Sequence, residues 1–538
     1  MSTDRSEKLN SQNPGYNGSE IAEFYKGAKI LVTGGTGFLG LLTIEKLLRS
    51  CPDIATIYML IRQKKGKSVE ERIKQYFNDT VFSRLKQEQP DFLNKIVVIE
   101  GDAAEENFGL SAQSILTLND TNIVIHAAAI VKFNEKLRLV VHTNVRITKQ
   151  LLLWAKTLPN LKSFVYVSTA FSNCVHETID EIHYDPPMDC DKLMTLVDCL
   201  DDDKLLAIEA TLRGKWPNNY IFSKSTAENV VLKYAGDLPV GIVRPSIVTA
   251  TFHEPLEGWI NNINGATGLL VGGAIGLLHT LHCLPEYASE IIPADYVVSN
   301  TIAASWDINK RLRGKWPNNY AFSKSTAESV VLKYAGWINN INGAAGIAFA
   351  STLGLMHTMH CVSECAAEVI PADYVVSNII AAIWDISKRC LTHEIVPAAI
   401  VDTFSRLAGH KPMLMDAYAK MDKFGDVISF FTTQQWKFRD ENVKKLWSKL
   451  GPIDRRSFNF NVADINWPEY FDVYMRGIRV YSLKDPLTEE SIRAGRSKFW
   501  KLNIANYVVM TLYALLVLWI VYSLVALPIV TLAFSLVS

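Results

Sequence analysis

A glycine-rich turn between an apolar strand and a helix limits the possible folds of this chain more than any other feature. Residues 29–33 have the composition of a buried strand, and the apolar spacing over 38–48 predicts the helix that follows. Between them stand Gly34, Gly35, Gly37 and Gly40. Glycines at this spacing let the backbone approach a pyrophosphate, and the helix N-terminus offers free N–H groups and a positive dipole. The turn therefore predicts a dinucleotide site, with a glycine turn that binds nothing as the alternative.

Strands and helical patterns alternate along the chain after this turn. We predict further strands at 56–61, 95–100, 122–126 and 163–167. This alternation indicates an α/β protein with a doubly wound parallel sheet. Ligands of such sheets lie beyond the carboxyl ends of the strands. The candidates there are Asp102 for the adenine, the small residues Ala127 and Ala128 as a surface for the cofactor, and Ser168 and Thr169.

Basic residues follow the second predicted strand, which ends in Arg62 and leads into Lys64, Lys65 and Lys67. A site that prefers NAD places an acidic residue near this point to hold the ribose 2′-OH, whereas a basic cluster suits a 2′-phosphate. We therefore predict NADPH as the cofactor. A basic loop that only faces solvent is the alternative.

A tyrosine and a lysine four residues apart, Tyr220 and Lys224, form the next candidate site. At this spacing they lie on one face of a helix. The ammonium group can then lower the pKa of the phenol, which makes the tyrosine a usable proton donor near neutral pH. Taken alone the pair is a weak signal, because any helix rich in Tyr and Lys produces it by chance.

The chain carries this motif twice. Residues 212–236 and 312–336 differ at only two positions, so Tyr220 has a copy in Tyr320. Over the longer copies, 212–310 and 312–388, the second lacks any counterpart of 237–258.

The missing part contains an apolar strand predicted over 242–248, which ends in Arg-Pro as a strand leading toward a nicotinamide would; Pro245 is therefore a cofactor candidate. Without that strand the second copy is expected to be non-catalytic, with Tyr320 and Lys324 on a helix away from any cofactor. The alternative to a functional role for the repeat is a gene-model or exon-inclusion artefact.

Charge and cysteine content exclude several classes of protein. Lys plus Arg and Asp plus Glu number 55 each, so nothing indicates a nucleic-acid partner. The eight cysteines include no C-x-x-C pair, which suits a reducing compartment.

Two His-x-x-His-Cys segments, starting at His279 and His357, lack further ligands nearby, so we predict no metal site. The small and apolar run 268–278 lines a lipid channel or fills the core.

The C-terminus is strongly apolar, because no charged residue occurs over 507–538. About 20 apolar residues cross a bilayer, so the sequence predicts one transmembrane helix, with a buried core helix as the alternative. The basic residues just before it predict that the large N-terminal part is cytosolic: Arg493, Arg496, Lys498 and Lys501. Residues 1–23 are polar without an apolar run, so we expect no signal peptide before the first strand. The expected location is the membrane of the endoplasmic reticulum or the peroxisome.

Taken together, the motifs resemble known families. The segments 33–40, 167–170 and 220–224 resemble an extended short-chain dehydrogenase/reductase with a Rossmann sheet. Further segments make most of 30–485 similar to the alcohol-forming fatty acyl-CoA reductases of insect type: 131–135, 242–248, 293–298, 431–436 and 477–479. The resemblance implies reduction of a long-chain fatty acyl-CoA to fatty alcohol through a transient aldehyde.

The resemblance also assigns residues. Tyr220 and Lys224 would be catalytic together with Thr169, for which Ser168 is the second candidate, and Lys224 would also hold the nicotinamide ribose. The cofactor would lie against the segment after the first strand: Thr33, Gly34, Gly35, Thr36, Gly37, Phe38, Leu39 and Gly40. An Asn-Pro segment that the family carries after the 293–298 motif is missing here, and the second copy stands in its place.

The predicted organisation has five parts. They are a polar tail (1–26), a reductase domain (27–310), the imperfect duplicate (311–389), a smaller, mostly helical C-terminal domain (390–500) and the transmembrane segment (504–538). Two other readings stay open: a catalytically dead relative, and an extended reductase or epimerase that acts on sterols or nucleotide sugars.

Overall fold

The computed structural model describes residues 18–61, 68–101, 106–274, 289–312, 319–323, 396–407 and 409–521. It divides into two compact units. The first contains residues 1–267, 286–335 and 430–484, and the second contains 268–285, 336–429 and 485–538. The candidate site lies within the first unit.

Seven parallel strands form the central sheet of the first unit, in the order β10-β7-β5-β4-β1-β2-β3. These strands are β1 (Lys29–Thr33), β2 (Thr56–Ile61), β3 (Ile96–Glu100), β4 (Ile123–His126), β5 (Ser163–Val167), β7 (Val240–Arg244) and β10 (Asn319–Ser323). Two short pairs stand apart, β6 (Thr178–Ile179) with β11 (Lys437–Phe438), and β8 (Ile247–Thr249) with β9 (Ile291–Pro293). The predicted doubly wound parallel sheet is therefore present.

Helices connect these strands and continue along the C-terminal part. Those before residue 313 are α1 (Glu20–Tyr25), α2 (Phe38–Ser50), α3 (Val69–Phe77), α4 (Ser83–Glu88), α5 (Ala112–Leu118), α6 (Leu137–Val140), α7 (Ile147–Ala155), α8 (Cys190–Cys199), α9 (Asp202–Arg213), α10 (Asn219–Tyr234), α11 (Gly265–Ala274) and α12 (Ala294–Leu312). After residue 395 follow α13 (Val396–Leu407), α14 (Leu414–Thr432), α15 (Glu441–Lys449), α16 (Pro452–Ser457), α17 (Trp467–Gly477) and α18 (Glu489–Val521). A π-helical turn, Val141–Arg146, joins α6 to α7.

The sheet is buried on both faces, as a parallel sheet must be. In β1, Leu31 joins a core cluster with Leu151 of α7 and Phe222 of α10. Because side chains alternate along a strand, the neighbouring Ile30 and Val32, also buried, face the opposite side. This double burial explains why the strands appear in the sequence as continuous apolar runs.

The strand order reverses between β1 and β4, which is where ligands of such sheets bind. The glycine-rich turn follows β1 and the predicted small residues follow β4, so the two segments meet at this point. A Cβ atom on Gly34 would lie 2.7 Å from the backbone N of Ala128. The topology thus brings together two segments that the sequence places about 90 residues apart.

The second motif copy takes a different conformation from the first. Tyr220 lies in helix α10, whereas Tyr320 lies in strand β10 at the edge of the sheet, paired in register with Gly241 of β7. The expected helix around Tyr320 was wrong, because residues 319–323 add a strand to the edge of the sheet. Lys324 and most of the copy lie outside the described residues.

The predicted transmembrane helix over 504–538 was also wrong. Helix α18 runs from Glu489 to Val521, and within the described part of the chain no helix is long and apolar enough to cross a membrane. The single-pass location in the endoplasmic reticulum or peroxisome depended on this helix and is corrected with it.

The predicted N-terminal tail contains a packed helix, α1. Ser19 caps it by accepting a hydrogen bond from Ala22 N–H, and Ile21 and Tyr25 are buried. The Tyr25 hydroxyl donates to the Ile302 carbonyl at 3.1 Å. This helix therefore belongs to the reductase unit.

A backbone contact between two glycines joins the C-terminal segment to the reductase part within the first unit. Gly258 has a φ of +68°, and a Cβ atom on Gly477 would lie 1.8 Å from the Gly258 carbonyl oxygen. No side chain fits between the two backbones, which explains why a glycine stands at the end of α17.

We predict that Gly477→Ala lowers the free energy of unfolding by about 3 kcal/mol or more, because overpacking costs this much when only backbone is available to move. Gly425→Ala is the matched control. It lies in helix α14 with nothing within 4 Å of the added Cβ, so alanine should stabilise by up to about 1 kcal/mol. Urea denaturation measures both variants, and a Gly477→Ala midpoint equal to that of the parent would contradict the close approach.

Candidate active site

The site is built around the start of helix α10, which carries Tyr220 and Lys224. The Asn218 side chain fixes this start by accepting a hydrogen bond from Ile221 N–H at 2.9 Å, as is typical of an N-cap residue. Lys224 is only 2% exposed, and Tyr220 is half-buried. The cap therefore holds both side chains of the motif in the first turns of the helix.

Thr169 follows β5 at its carboxyl end, and its side chain lies close enough to Tyr220 to lower the pKa of the phenol. The Thr169 hydroxyl also accepts from Phe171 N–H at 3.3 Å and lies 3.4 Å from the Pro245 carbonyl oxygen, to which it donates. These contacts bring three sequence-predicted residues together. They also place the phenol beyond the carboxyl ends of β5 and β7.

Lys224 does not act on the phenol as the sequence predicts. Its ammonium donates to the Val167 carbonyl at 2.7 Å and lies over the ring of Tyr166. Burial lowers the pKa of Lys224 to about 7, partly opposed by the negative charge of Glu228. Burial also raises the pKa of Tyr220, against the hydrogen bond with Thr169. Without a bound cofactor the phenol is therefore a weaker acid than in water.

Ser168 is committed to a different contact. Its hydroxyl donates to the Glu228 carboxylate at 2.6 Å. The same carboxylate accepts from Arg244 Nε at 3.0 Å and Nη2 at 2.7 Å, and this ion pair is almost fully buried. Burial alone would raise the pKa of Glu228, but the charge and hydrogen bonds of Arg244 hold it below its ordinary value. The Ser168 proton faces this carboxylate, whereas the Thr169 side chain reaches the phenol.

The glycine-rich turn fits a dinucleotide. A Cβ on Gly40 would lie 2.1 Å from the Gly34 carbonyl oxygen, so helix and turn can approach only without side chains. Gly37 is the N-cap of α2 and supplies no side-chain hydrogen bond, which leaves the helix N-terminus for a phosphate.

The Thr33 hydroxyl lies 2.7 Å from His126 Nδ1. Burial, with the charge of Lys224 in addition, lowers the pKa of His126 to about 3, so this pair is neutral.

Of the other predicted cofactor residues, the structure describes some and leaves others outside its described ranges. The ring of Phe38 stacks on Trp259 at 5.6 Å, and Trp259 is buried. Arg62 and Asp102 lie outside the described residues, as do both His-x-x-His-Cys segments. The sequence therefore remains the basis for those assignments.

Sequence reasoning missed four residues of the site. Glu228 and Arg244 form the ion pair described above, and the aromatic rings of Phe133 and Phe431 follow one another outward from Tyr220. Phe133 stacks on Tyr220 with ring centroids 5.8 Å apart, and Phe431 lies 5.5 Å from Phe133. A signal existed for Glu228, which follows Lys224 by four residues on the same helical face.

Comparisons with known proteins agree with this geometry. Two family models match, both described as male sterility protein: an NAD-binding model over residues 32–301 and a second model over 393–485. The chain is 34% identical to fatty acyl-CoA reductase 1 of Rattus norvegicus over 503 residues, 92% of either chain. It is 34% identical to fatty acyl-CoA reductase wat of Drosophila melanogaster over 512 residues, 95% of this chain and 94% of the relative.

A solved structure shares the fold. The reductase domain of a non-ribosomal peptide synthetase from Mycobacterium tuberculosis superimposes with a TM-score of 0.52 at 16% identity, covering 86% of this chain and 96% of that one. At this identity the likeness concerns the fold alone.

We predict that cofactor binding takes up a proton at pH 8. Free Lys224, with a pKa near 7, is mostly neutral there. The ribose hydroxyls and the phosphates of the cofactor favour its charged form, so its pKa rises on binding and about one proton enters. At pH 6 Lys224 is already charged, and the uptake should be small.

Calorimetry in two buffers of different ionisation enthalpy measures this uptake. Lys224→Met should remove it while leaving residual binding. Equal heats in both buffers at pH 8 for the parent protein would show that Lys224 does not change its charge on binding.

Proposed function

The chain belongs to the fatty acyl-CoA reductases, and from this we propose that the site described above reduces a long-chain fatty acyl-CoA to a fatty alcohol with NADPH. The observation that carries the proposal is the contact between Tyr220 and Thr169 at the carboxyl ends of β5 and β7. Lys224 lies one helical turn after Tyr220, and its buried ammonium donates to the Val167 carbonyl at the end of β5. The substrate carbonyl would be held between the hydroxyls of Tyr220 and Thr169.

The reaction has two reductions. In the first, the thioester carbon accepts a hydride, the C–S bond breaks, and coenzyme A leaves as a thiol after taking up a proton, which gives an aldehyde. In the second, the aldehyde carbon accepts another hydride and its oxygen takes a proton, which gives the alcohol. A bound nicotinamide supplies the hydride each time.

The residues of this chain hold the oxygen and the proton. Tyr220 would donate a hydrogen bond to the carbonyl oxygen as negative charge develops on it, and Thr169 would do so by turning its hydroxyl from the Pro245 carbonyl, 3.4 Å away. Tyr220 would then give its proton to the alkoxide of the second step. Lys224, once charged, would stabilise the resulting phenolate and hold the nicotinamide ribose. Ser168 would take no part, because its hydroxyl donates to Glu228.

We propose NADPH rather than NADH on the sequence of the loop after β2. Arg62 and the lysines that follow it offer positive charge where the 2′-phosphate of the adenine ribose would lie. The matching family model and the fold support a nicotinamide cofactor in general. The proposal of NADPH over NADH therefore depends on the positive charge of Arg62 and of the lysines after it.

The first prediction compares the two tyrosines. Tyr220→Phe should lower alcohol formation by about 10²–10⁴-fold, because the proton donor is lost while the ring keeps its packing. Tyr320→Phe is the matched control and should leave the rate nearly unchanged, since Tyr320 lies on edge strand β10. The measurement is alcohol produced from palmitoyl-CoA and NADPH.

Two outcomes would change the proposal. Equal losses from both substitutions would show that the second copy shares the active site. An inactive parent that gains activity after removal of 312–388 would instead indicate that the inserted copy is inhibitory.

The second prediction concerns cofactor choice. Binding titrations of the full chain should show NADPH ahead of NADH, and Arg62→Asp should remove most of that difference, because the added carboxylate repels the 2′-phosphate. Lys95→Asp is the control, because Lys95 lies just before β3 and its ammonium donates to the Pro52 carbonyl. Equal affinity of the parent for both cofactors would end the NADPH assignment.

A further inference from the structure

Four aromatic rings extend from the phenol of Tyr220 into the core as one continuous apolar wall. Phe133 stacks on Tyr220, and Phe431 packs against Phe133. Phe431 meets Phe171 edge-on at 5.4 Å, and Phe171 meets Trp436 edge-on at 5.5 Å. We define Phe133, Phe431, Phe171 and Trp436 as the aromatic wall.

The far end of the wall is fixed. Phe171 and Trp436 are buried, and Trp436 Nε1–H donates to the Cys174 carbonyl at 2.8 Å. Directly after Trp436, Lys437–Phe438 pairs in parallel with Thr178–Ile179. The segment that carries Phe431 is thus held at Trp436 and at the two residues directly after it.

The near end of the wall is open. Phe133 and Phe431 are only half-buried, although each touches another aromatic ring. Phe133 stacks directly on the phenol that a substrate carbonyl must approach to within hydrogen-bonding distance, and Phe431 packs against Phe133. Two partly exposed rings at this place offer apolar surface to whatever is attached to that carbonyl.

We propose that Phe133 and Phe431 hold the acyl chain next to the reacting carbon and thereby retain the aldehyde between the two reductions. The proposal rests on the proposed function. After the first reduction the C–S bond is broken, so coenzyme A no longer tethers the acyl group. Contact between the first methylenes of the chain and these two rings then keeps the aldehyde beside Tyr220.

The position of the wall suits this role. None of its four residues belongs to the glycine-rich turn that fits the pyrophosphate, so oxidised cofactor can leave while the wall stays in place. Phe431 and Trp436 come from the part of the chain matched by the second family model, residues 393–485. The inference therefore also gives that segment a part in the active site.

The test is the ratio of free aldehyde to alcohol. The full chain is incubated with palmitoyl-CoA and NADPH, quenched with a hydrazine, and both products are quantified. Phe431→Ala and Phe133→Ala should each raise the aldehyde-to-alcohol ratio on the order of tenfold, the usual effect of removing a few methylenes' worth of apolar contact. Both should also raise KM for added hexadecanal, while NADPH affinity stays unchanged.

Phe24→Ala is the matched control, since Phe24 is also half-buried and packs edge-on against one ring, that of Tyr25, on helix α1. It should keep the product ratio of the parent. If the alanine variants lose NADPH binding, Phe431→Leu and Phe133→Leu replace them, with a smaller rise in the same direction expected.

An unchanged product ratio in folded variants, even with a lower total rate, would overturn the proposal and leave the proposed function intact. A parent that makes neither aldehyde nor alcohol from palmitoyl-CoA would overturn the proposed function and this inference with it.

Discussion

The buried ion pair between Glu228 and Arg244 is the interaction on which the site depends. Two charges without water are stable only when their hydrogen bonds are satisfied, and here Ser168 and Ser172 donate to the carboxylate along with the guanidinium. The guanidinium donates further to the Asp180 and Ile182 carbonyls. Removing one partner of such a pair typically costs about 3–5 kcal/mol. The pair therefore fixes the position of helix α10 relative to the carboxyl ends of β5 and β7.

The ion pair explains why the neighbouring residues Ser168 and Thr169 make different contacts. Ser168 and Thr169 follow the same strand, yet their side chains leave it on opposite sides. Ser168 meets the carboxylate of Glu228, and Thr169 meets the phenol of Tyr220. Glu228 also opposes the loss of charge on Lys224, four residues earlier on the helix. The Glu228 carboxylate thus binds the hydroxyl of Ser168 after β5 and also raises the pKa of Lys224.

Much of the sheet was predictable because buried parallel strands leave continuous apolar runs in the sequence. Strands β1 and β5 have the predicted bounds, and the glycines at the turn follow from the close approach of Gly34 to Ala128. The predicted strand over 242–248 is instead two strands, β7 and β8. Pro245 separates them, since it has no N–H to donate to a ladder, and its carbonyl accepts from Ala170 N–H.

The rest could not be predicted because it depends on contacts between distant parts of the chain. No local pattern relates Phe133 to Phe431, or Gly258 to Gly477, although each pair is in contact. The repeat shows the same limit most directly. Nearly identical segments form helix α10 around Tyr220 and strand β10 around Tyr320.

The reason lies in what surrounds each copy. The first copy has Arg244 to pair with its Glu228, sixteen positions along, whereas the asparagine that caps its helix is present in both copies. The second copy lacks the counterpart of 237–258 and so lacks any equivalent of that arginine. A helix whose glutamate must be buried without a partner is unfavourable. The open edge of β7 offers backbone hydrogen bonds instead, and residues 319–323 form strand β10 there. The missing arginine thus removes from the second copy one contact that stabilises helix α10 in the first.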